Sequence, residues 1–442
     1  MTDAVGADAA LAATLRADRA RLVALLAARS RDIAAAEDAV ADAALQALAS
    51  WPARGVPANP AAWLLTVARN RWRDERRHAQ VHDAFAQDWL HLQAQPADAG
   101  PTPSEADFPD ERLKLLFVCA HPAIDRAVHT PLMLQVVMGV PVERMAGLFL
   151  VSPAALGQRL SRAKTKIRDA GMAFEVPAEP QLPARLPAVL DALYGAYGLA
   201  WEDAAGPLPD AVALVRLLAE RLPQPEALGL LALLLFCESR RRARRDADGA
   251  FVPLDEQDVQ RWDRELMQQA ADVLAHASRA GQLGRYQLEA AVQSVHARRA
   301  DTGRTDWQTL TLLYQGLLSR WPTLGLQLGH IGALARWQGA EAAWPLLAAL
   351  DDALVADHQP YWALRAELLQ QRGATGAADA YGRAAALCRD DAIRRFLLRR
   401  RAAAEARYAA APRRPQDVDD PTAGMAHDGQ PGTDAADASC GG

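Results

Sequence analysis

The chain has 442 residues, half of them hydrophobic, with four cysteines and a formal net charge of −5. That length predicts about three domains, and no apolar run reaches the length of a transmembrane helix, so no membrane partner is expected. Cys119, Cys237, Cys388 and Cys440 are far apart and form no C-x-x-C pair, which excludes a zinc knuckle and a disulfide framework and points to a reducing cytoplasm.

Alanine and leucine dominate and strand-like alternation is nearly absent, so an all-α protein is expected. Met1-Thr2-Asp3-Ala4 lacks the basic start and apolar stretch of a signal peptide. Residues 10–78 read as one compact helical unit. Ile33 to Leu45 forms an amphipathic helix with an acidic face, followed by a loop from Trp51 to Pro60. A helix from Ala61 to Asp74 then carries Leu64, Leu65, Ala68 and Trp72 on one side, with Arg69, Arg73, Arg76 and Arg77 on the other. Residues 79–107, with Gln93-Ala94-Gln95-Pro96 and Gly100-Pro101-Thr102-Pro103 among acids, read as a flexible acidic linker.

Residues 108–174 predict a second small helical unit containing a helix-turn-helix at Val142–Arg168. A short helix follows Pro141, from Val142 to Phe149, and Val151-Ser152-Pro153 makes the turn. Ser152 is a good N-cap because its hydroxyl accepts from a free N–H of the first turn, and Pro153 fits a position that needs no N–H partner. Leu156, Leu160, Ala163 and Ile167 form one apolar stripe at spacings of 4, 3 and 4. At about 100° per residue, Gln158, Ser161, Arg162 and Thr165 take the opposite face, flanked by Arg159, Lys164, Lys166 and Arg168. Such a helix can fix its stripe to its own domain, read base edges in the major groove and neutralise phosphates. A basic surface helix of an ordinary bundle has the same pattern, so the helix alone favours DNA binding only modestly. The overall acidity does not weigh against it, because binding follows the local field.

The stretch "AEDAV" followed by "NPAAWLLTVARNRWRDERR" resembles region two of the extracytoplasmic-function RNA polymerase sigma factors. The resemblance implies that Glu37, Asp38 and Asp42 contact core RNA polymerase at its β′ clamp helices. It also implies that the loop from Arg54 to Asn59 receives a base flipped out of the minus-ten element. Trp63, Arg69, Asn70, Arg73, Arg76 and Arg77 would lie near promoter DNA. Base flipping costs a few kcal/mol of unstacking, and a pocket that accepts the base recovers part of it. "HPAIDRAVHTPLMLQVVMGVPVERMAGLFLVSPAALGQRLSRAKTKIRDAG" is similar to region four, which contacts the minus-thirty-five element and the β flap. It implies base contacts by Gln158, Arg159 and Arg162, with Lys164 and Lys166 on phosphates. Two weak readers on one chain reinforce each other through effective concentration.

Glu175 to Pro180 breaks the pattern, and helical patterns then run from 183 to 408. This extension resembles that of one sigma subgroup, whose C-terminal helices end in tetratricopeptide-like repeats. Trp362, Leu369, Ala377, Tyr381 and Ala384 approximate a repeat's packing pattern. A regulatory protein bound by the extension, or control of the chain by its own extension, follows as an expectation. The subgroup's Asn-Glu-Gly-Tyr motif is replaced by Gly198-Leu199-Ala200-Trp201, and its Asn-Arg-Ala motif near Gly329-His330-Ile331-Gly332. Arg144 and Gly147 stand where an acidic residue and an arginine are usual. Residues 411–442 read as a disordered tail.

Arg240 to Arg245 read as a salt-bridged face meeting Asp246, Asp248, Asp255, Glu256 and Asp258, or as a third nucleic-acid contact. No phosphate loop, nucleophile elbow or H-E-x-x-H is found, so neither an enzyme nor a cofactor nor a metal site is expected. The main expectation is a factor that directs core RNA polymerase to promoters. The competing readings are a helical-repeat scaffold with a degenerate sigma-like start and a simple helix-turn-helix regulator.

Overall fold

In a computed structural model, the described residues are 2–87, 108–146, 149, 151–202 and 209–410; among them, the side chains of 2–5, 74–87, 108–110, 200–202, 209–210 and 410 are not described. The linker expected at 79–107 therefore lies largely outside the described residues, as do Gly147 and the tail. The described chain is helical and contains no strand; its one β-bridge, Arg245 to Phe251, is isolated. It divides into two compact units. The first is residues 1–349 with 389–392, and the second is the remainder from Leu350. The extension expected as one domain from 183 to 408 is thus divided near 350.

The first unit begins with α1 (Thr2–Ser30), α2 (Ile33–Arg54) and α3 (Pro60–Gln87). Asp32 caps α2 by accepting from the Ala35 N–H at 3.1 Å, and Asn59 caps α3 by accepting from the Ala62 N–H at 3.0 Å. The loop expected from Trp51 to Pro60 is shorter than the sequence predicts. Pro52 lies inside α2, which continues to Arg54. Proline there costs one N–H, but Trp51 is buried and anchors the last turn. Gly55 ends it at φ 81°, a left-handed conformation that a side chain resists, and its N–H donates to the Trp51 carbonyl at 2.9 Å. Helix α3 also runs on to Gln87, past the expected boundary at 78.

Next come α4 (Phe108–Cys119), α5 (Arg126–Val136), α6 (Val142–Ala146) and α7 (Pro153–Asp169). They are followed by α8 (Leu182–Glu202), α9 (Pro209–Arg221), α10 (Pro225–Ser239), α11 (Arg264–Ser278) and α12 (Arg285–Ala297). These are not independent modules. One continuous apolar core runs from Leu22 and Val40 through Leu64, Phe117, Leu132 and Leu160 to Leu193, Leu234 and Tyr286. Helix α4 packs on α1, and α5 packs on α8. Helix α10, with Leu230 to Phe236 all buried, is the centre against which α11 and α12 lie; its apolar residues occupy every side, as a central helix requires. The unit closes with α13 (Arg299–Thr302), α14 (Trp307–Leu318), α15 (Leu324–Gln338) and α16 (Ala340–Ala348).

The arginine run after α10 differs from the salt-bridged face read from sequence. Arg241 pairs with Glu238 at 2.5 Å and Arg245 with Asp390 at 2.5 Å. Asp246 instead accepts the Asp248 and Ala250 N–H groups of a turn, Asp258 caps a single 3-10 turn, and Asp255 pairs with Arg336. Asp246 and Asp258 are thus consumed by local backbone, which a reading by charge alone cannot see.

The second unit contains α17 (Asp352–Val355), α18 (Gln359–Gln371), α19 (Ala377–Leu387) and most of α20 (Asp391–Ala410). Helices α18 and α19 form a packed pair. Leu369, Ala377, Tyr381 and Ala384 are buried, with Trp362 partly so.

Candidate nucleic-acid interface

Helix α7 is built as its pattern predicts. The Ser152 hydroxyl accepts from the Ala155 N–H at 3.2 Å, and Pro153 opens the first turn. Leu156, Leu160, Ala163 and Ile167 are buried, while Gln158, Arg159, Ser161, Arg162, Thr165 and Lys166 are exposed. Among the described residues, no ion pair engages Arg159, Arg162 or Lys166, so a cationic and amide-bearing face stands open to solvent. The preceding helix of the motif, expected over 142–149, is described as Val142–Ala146, with Met145 and Ala146 buried.

Lys164 departs from the expected phosphate-contacting role. It is 8 % exposed, and its Nζ lies 2.5 Å from Glu37 Oε2. Glu37 also lies 3.8 Å from Arg19, and Arg168 reaches Asp32 at 4.0 Å. The reason is the packing of α7 on α2: Lys164 faces the neighbouring helix, where only a carboxylate can compensate its charge. In this conformation Glu37 is likewise turned inward. Cys119 is enclosed beside this pair; burial pushes its thiol up to about 12, with Lys164 opposing and Glu37 adding to the shift.

The other two acids of α2 are placed differently. Asp38 is exposed, and Asp42 pairs with Arg71 at 3.2 Å. Beside Asp38, Leu45 and Leu48 are 64 % and 45 % exposed. Asp38, Ala41, Leu45 and Leu48 fall within about 80° of one another on the helix. An acid and two leucines on one open stripe make a surface suited to a partner. Sequence reading singled out the acids and missed the leucines, although their spacing of three carried the signal.

On α3, Asn70 and Arg73 are exposed and Arg69 is partly buried, its charge disfavoured by burial and by Arg29 and Arg73. Arg54 is exposed at the end of α2, and Asn59 is exposed at the start of α3. Trp63 is half-buried, edge-on to Trp51 with ring centroids 5.5 Å apart. The side chains of Arg76 and Arg77 lie outside the described residues. The structure thus brings Arg54, Asn59 and Trp63 to the short loop between α2 and α3.

The helix-turn-helix is also tied to the extension. Arg144, which stands where an acidic residue is expected, donates from Nη2 to the Leu199 carbonyl of α8 at 3.1 Å. No group of three or more potential metal ligands occurs among the described residues, and no described helix is long and apolar enough to cross a membrane.

Comparison with known proteins agrees with part of this arrangement. Sigma-70 region 2 matches residues 15–81, and a family of unknown function (DUF6596) matches residues 185–278. The uncharacterized protein R00370 of Rhizobium meliloti is 36 % identical over 368 residues, covering 81 % of this chain and 87 % of its own. A protein of Xanthomonas campestris named probable RNA polymerase sigma factor RfaY is 31 % identical over 171 residues, covering 38 % of this chain and 41 % of its own. No solved structure matches.

Proposed function

Because the chain belongs to the family of the uncharacterized rhizobial protein and carries a sigma-70 region 2, we propose that it is a promoter-directing sigma factor of the extracytoplasmic-function class. Binding to core RNA polymerase and to promoter DNA follows from region 2 itself. The finer assignment is ours. Asp38, Asp42, Leu45 and Leu48 dock on the β′ clamp helices, and Glu37 joins them once released from Lys164. Arg54, Asn59 and Trp63 take the flipped base of the minus-ten element, and Arg69, Asn70, Arg73, Arg76 and Arg77 hold the surrounding strand. Gln158, Arg159 and Arg162 read the minus-thirty-five element, with Lys166 on phosphate, while α4 to α7, region four by this reading, approach the β flap. The protein works in the cytoplasm, where polymerase is.

The observation that carries this reading is the coexistence of a region 2 match with an open, uncompensated face on α7, which is capped as a recognition helix. Run-off transcription with core polymerase and a promoter library tests it: a specific transcript is expected, and none from any promoter overturns it.

The extension acts as a built-in regulator. Region 2, α4 to α7 and the first helices of the extension share one core, Arg144 is held by Leu199, and Glu37 is held by Lys164. To span two promoter elements the α2 and α7 surfaces must part, so this packed form is the resting one. Truncation after Glu175 is expected to change promoter activity sharply. Unchanged activity and unchanged polymerase affinity rule autoregulation out. A regulatory protein that grips the extension, through its helix pairs of tetratricopeptide-like form, is a second input to the same equilibrium.

A further inference from the structure

Helix α12 presents Arg285, Glu289 and Gln293 at spacings of four, which places three planar polar groups in one row. The row faces a cleft of about 360 Å³ whose walls include Tyr194 of α8, Tyr314 of α14 and Thr323. The two charges that line it, Arg285 and Glu289, already match one another. Arg285 Nε donates to Glu289 at 2.7 Å, and its Nη1 reaches Asp191 at 3.3 Å. The Tyr194 hydroxyl bonds to Glu289 as well, and the Arg285 guanidinium lies 5.7 Å from the Tyr194 ring centre.

Gln293 is different. Its Oε1 is buried and has no hydrogen-bond partner among the described residues. A buried amide oxygen without a donor is destabilising and unusual in a folded protein. Tyr314 is also held deliberately: a Cβ on Gly329 would lie 2.7 Å from its ring, so the ring rests on bare backbone and faces the cleft from a fixed position.

We propose that this cleft binds an uncharged, polyhydroxylated small molecule of monosaccharide size, which acts as an effector. Arg285 and Glu289 neutralise one another, so a charged ligand finds no free counter-charge and loses its hydration. A hydroxylated ring gains from both kinds of wall. Its C–H face lies on a tyrosine ring, and its hydroxyls donate to Gln293 Oε1 and exchange with Glu289, Arg285 and Thr323. A few convergent polar groups among aromatic walls is how small-molecule sites are commonly built.

The cleft has a route to the DNA-binding motif. Tyr194 and Leu199 lie on the same helix, five residues or about 7.5 Å apart along its axis. Leu199 is the residue whose carbonyl holds Arg144. A ligand that fixes Tyr194 therefore fixes the end of α8 that grips the helix-turn-helix. This coupling rests on the reading of α6 and α7 as a promoter-binding motif; the binding itself does not.

The test is thermal unfolding of the full chain, without polymerase, against glucose, galactose, mannose, ribose and myo-inositol at millimolar concentration. Glucose 6-phosphate, glucuronate and glucosamine serve as charged counterparts. At least one neutral compound raises Tm on the order of 1–2 °C at about ten times Kd, and the charged forms do not. Gln293→Leu removes the orphaned acceptor, so the free protein keeps its stability and the rise disappears. No rise with any neutral compound, or a rise that survives in Gln293→Leu, overturns the site. Run-off transcription with and without the active sugar reads the coupling, and an unchanged yield overturns the effector role while leaving promoter recognition intact.

Discussion

Lys164 Nζ lies 2.5 Å from Glu37 Oε2, joining α7 to α2 through two residues 127 apart in the chain, with each side chain less than one-fifth exposed. Removing one partner of such a pair strands the other in a poorly solvated site. Lys164→Met is expected to lower the unfolding free energy by about 3 kcal/mol, whereas Glu37→Leu combined with Lys164→Met restores most of it. Urea titration of the wild type and the two variants measures this. Cys119 reports on the same seam: its thiol, held near 12 by burial with Glu37 adding to the shift, resists alkylation at pH 8 in the wild type and becomes modified in Glu37→Gln, where Lys164 is left to favour the thiolate. Equal alkylation in both proteins contradicts a pair that closes the seam.

Arg159 and Arg162 are exposed on α7. Arg162→Ala is expected to weaken promoter binding by the polymerase complex by about 1–3 kcal/mol and to relax sequence preference at one upstream position. Lys166→Ala lowers affinity for all sequences alike and reduces the slope of log affinity against log salt by about 1. Fluorescence anisotropy over a salt series separates the two. Identical behaviour of the two variants argues against base reading by Arg162.

How much of this was legible from sequence is clearest on α7. The stripe of Leu156, Leu160, Ala163 and Ile167 and the Ser152-Pro153 start set the helix and its inner face, and all four stripe residues are buried. Lys164 was not legible. It and Arg159 both sit about 70° from the centre of the stripe, on opposite sides, so periodicity treats them alike. One is buried only because α2 brings Glu37 to that flank, a contact between residues distant in sequence. The merging of the expected units into one core escaped sequence reading for the same reason. So did the paired cleft tyrosines, since no local pattern reveals which helices meet.

Leu45 is the most exposed leucine of α2, at 64 %. Leu45→Asp is therefore expected to leave the fold within about 0.5 kcal/mol of wild type while costing at least ~2 kcal/mol of affinity for core polymerase, the loss expected when an interface anchor is removed. Co-purification and a calorimetric titration with core polymerase measure it. Full affinity in a folded Leu45→Asp protein removes this stripe from the docking surface.

His296 packs edge-on to Trp307 with centroids 5.8 Å apart, and burial, with Arg240 and Arg299 nearby, lowers its pKa to about 3 against the opposing pull of Asp255. An unfolded imidazole titrates near 6.5, so between about 3 and 6.5 the unfolded chain binds the extra proton. The site's contribution is complete above about pH 7. It is lost as pH falls through 6.5, at up to ~1.4 kcal/mol per pH unit. His296→Phe should flatten the profile of unfolding free energy between pH 6.5 and about 4.5. An unchanged slope assigns the acid sensitivity to other groups.

The link from Gly55 to Asn59 has a consequence for how the protein can diversify. It is tied at one end by the left-handed Gly55 cap and at the other by the Asn59 side chain. Five residues can reach at most roughly 18 Å, and the Trp51–Trp63 contact fixes the two helices that the link must bridge. Val56, Pro57 and Ala58 lie between these ties and bury little. They can be exchanged without disturbing either helix, whereas a change in their number pulls on both. The link thereby separates composition from span: its three middle letters can be rewritten, but only at constant length.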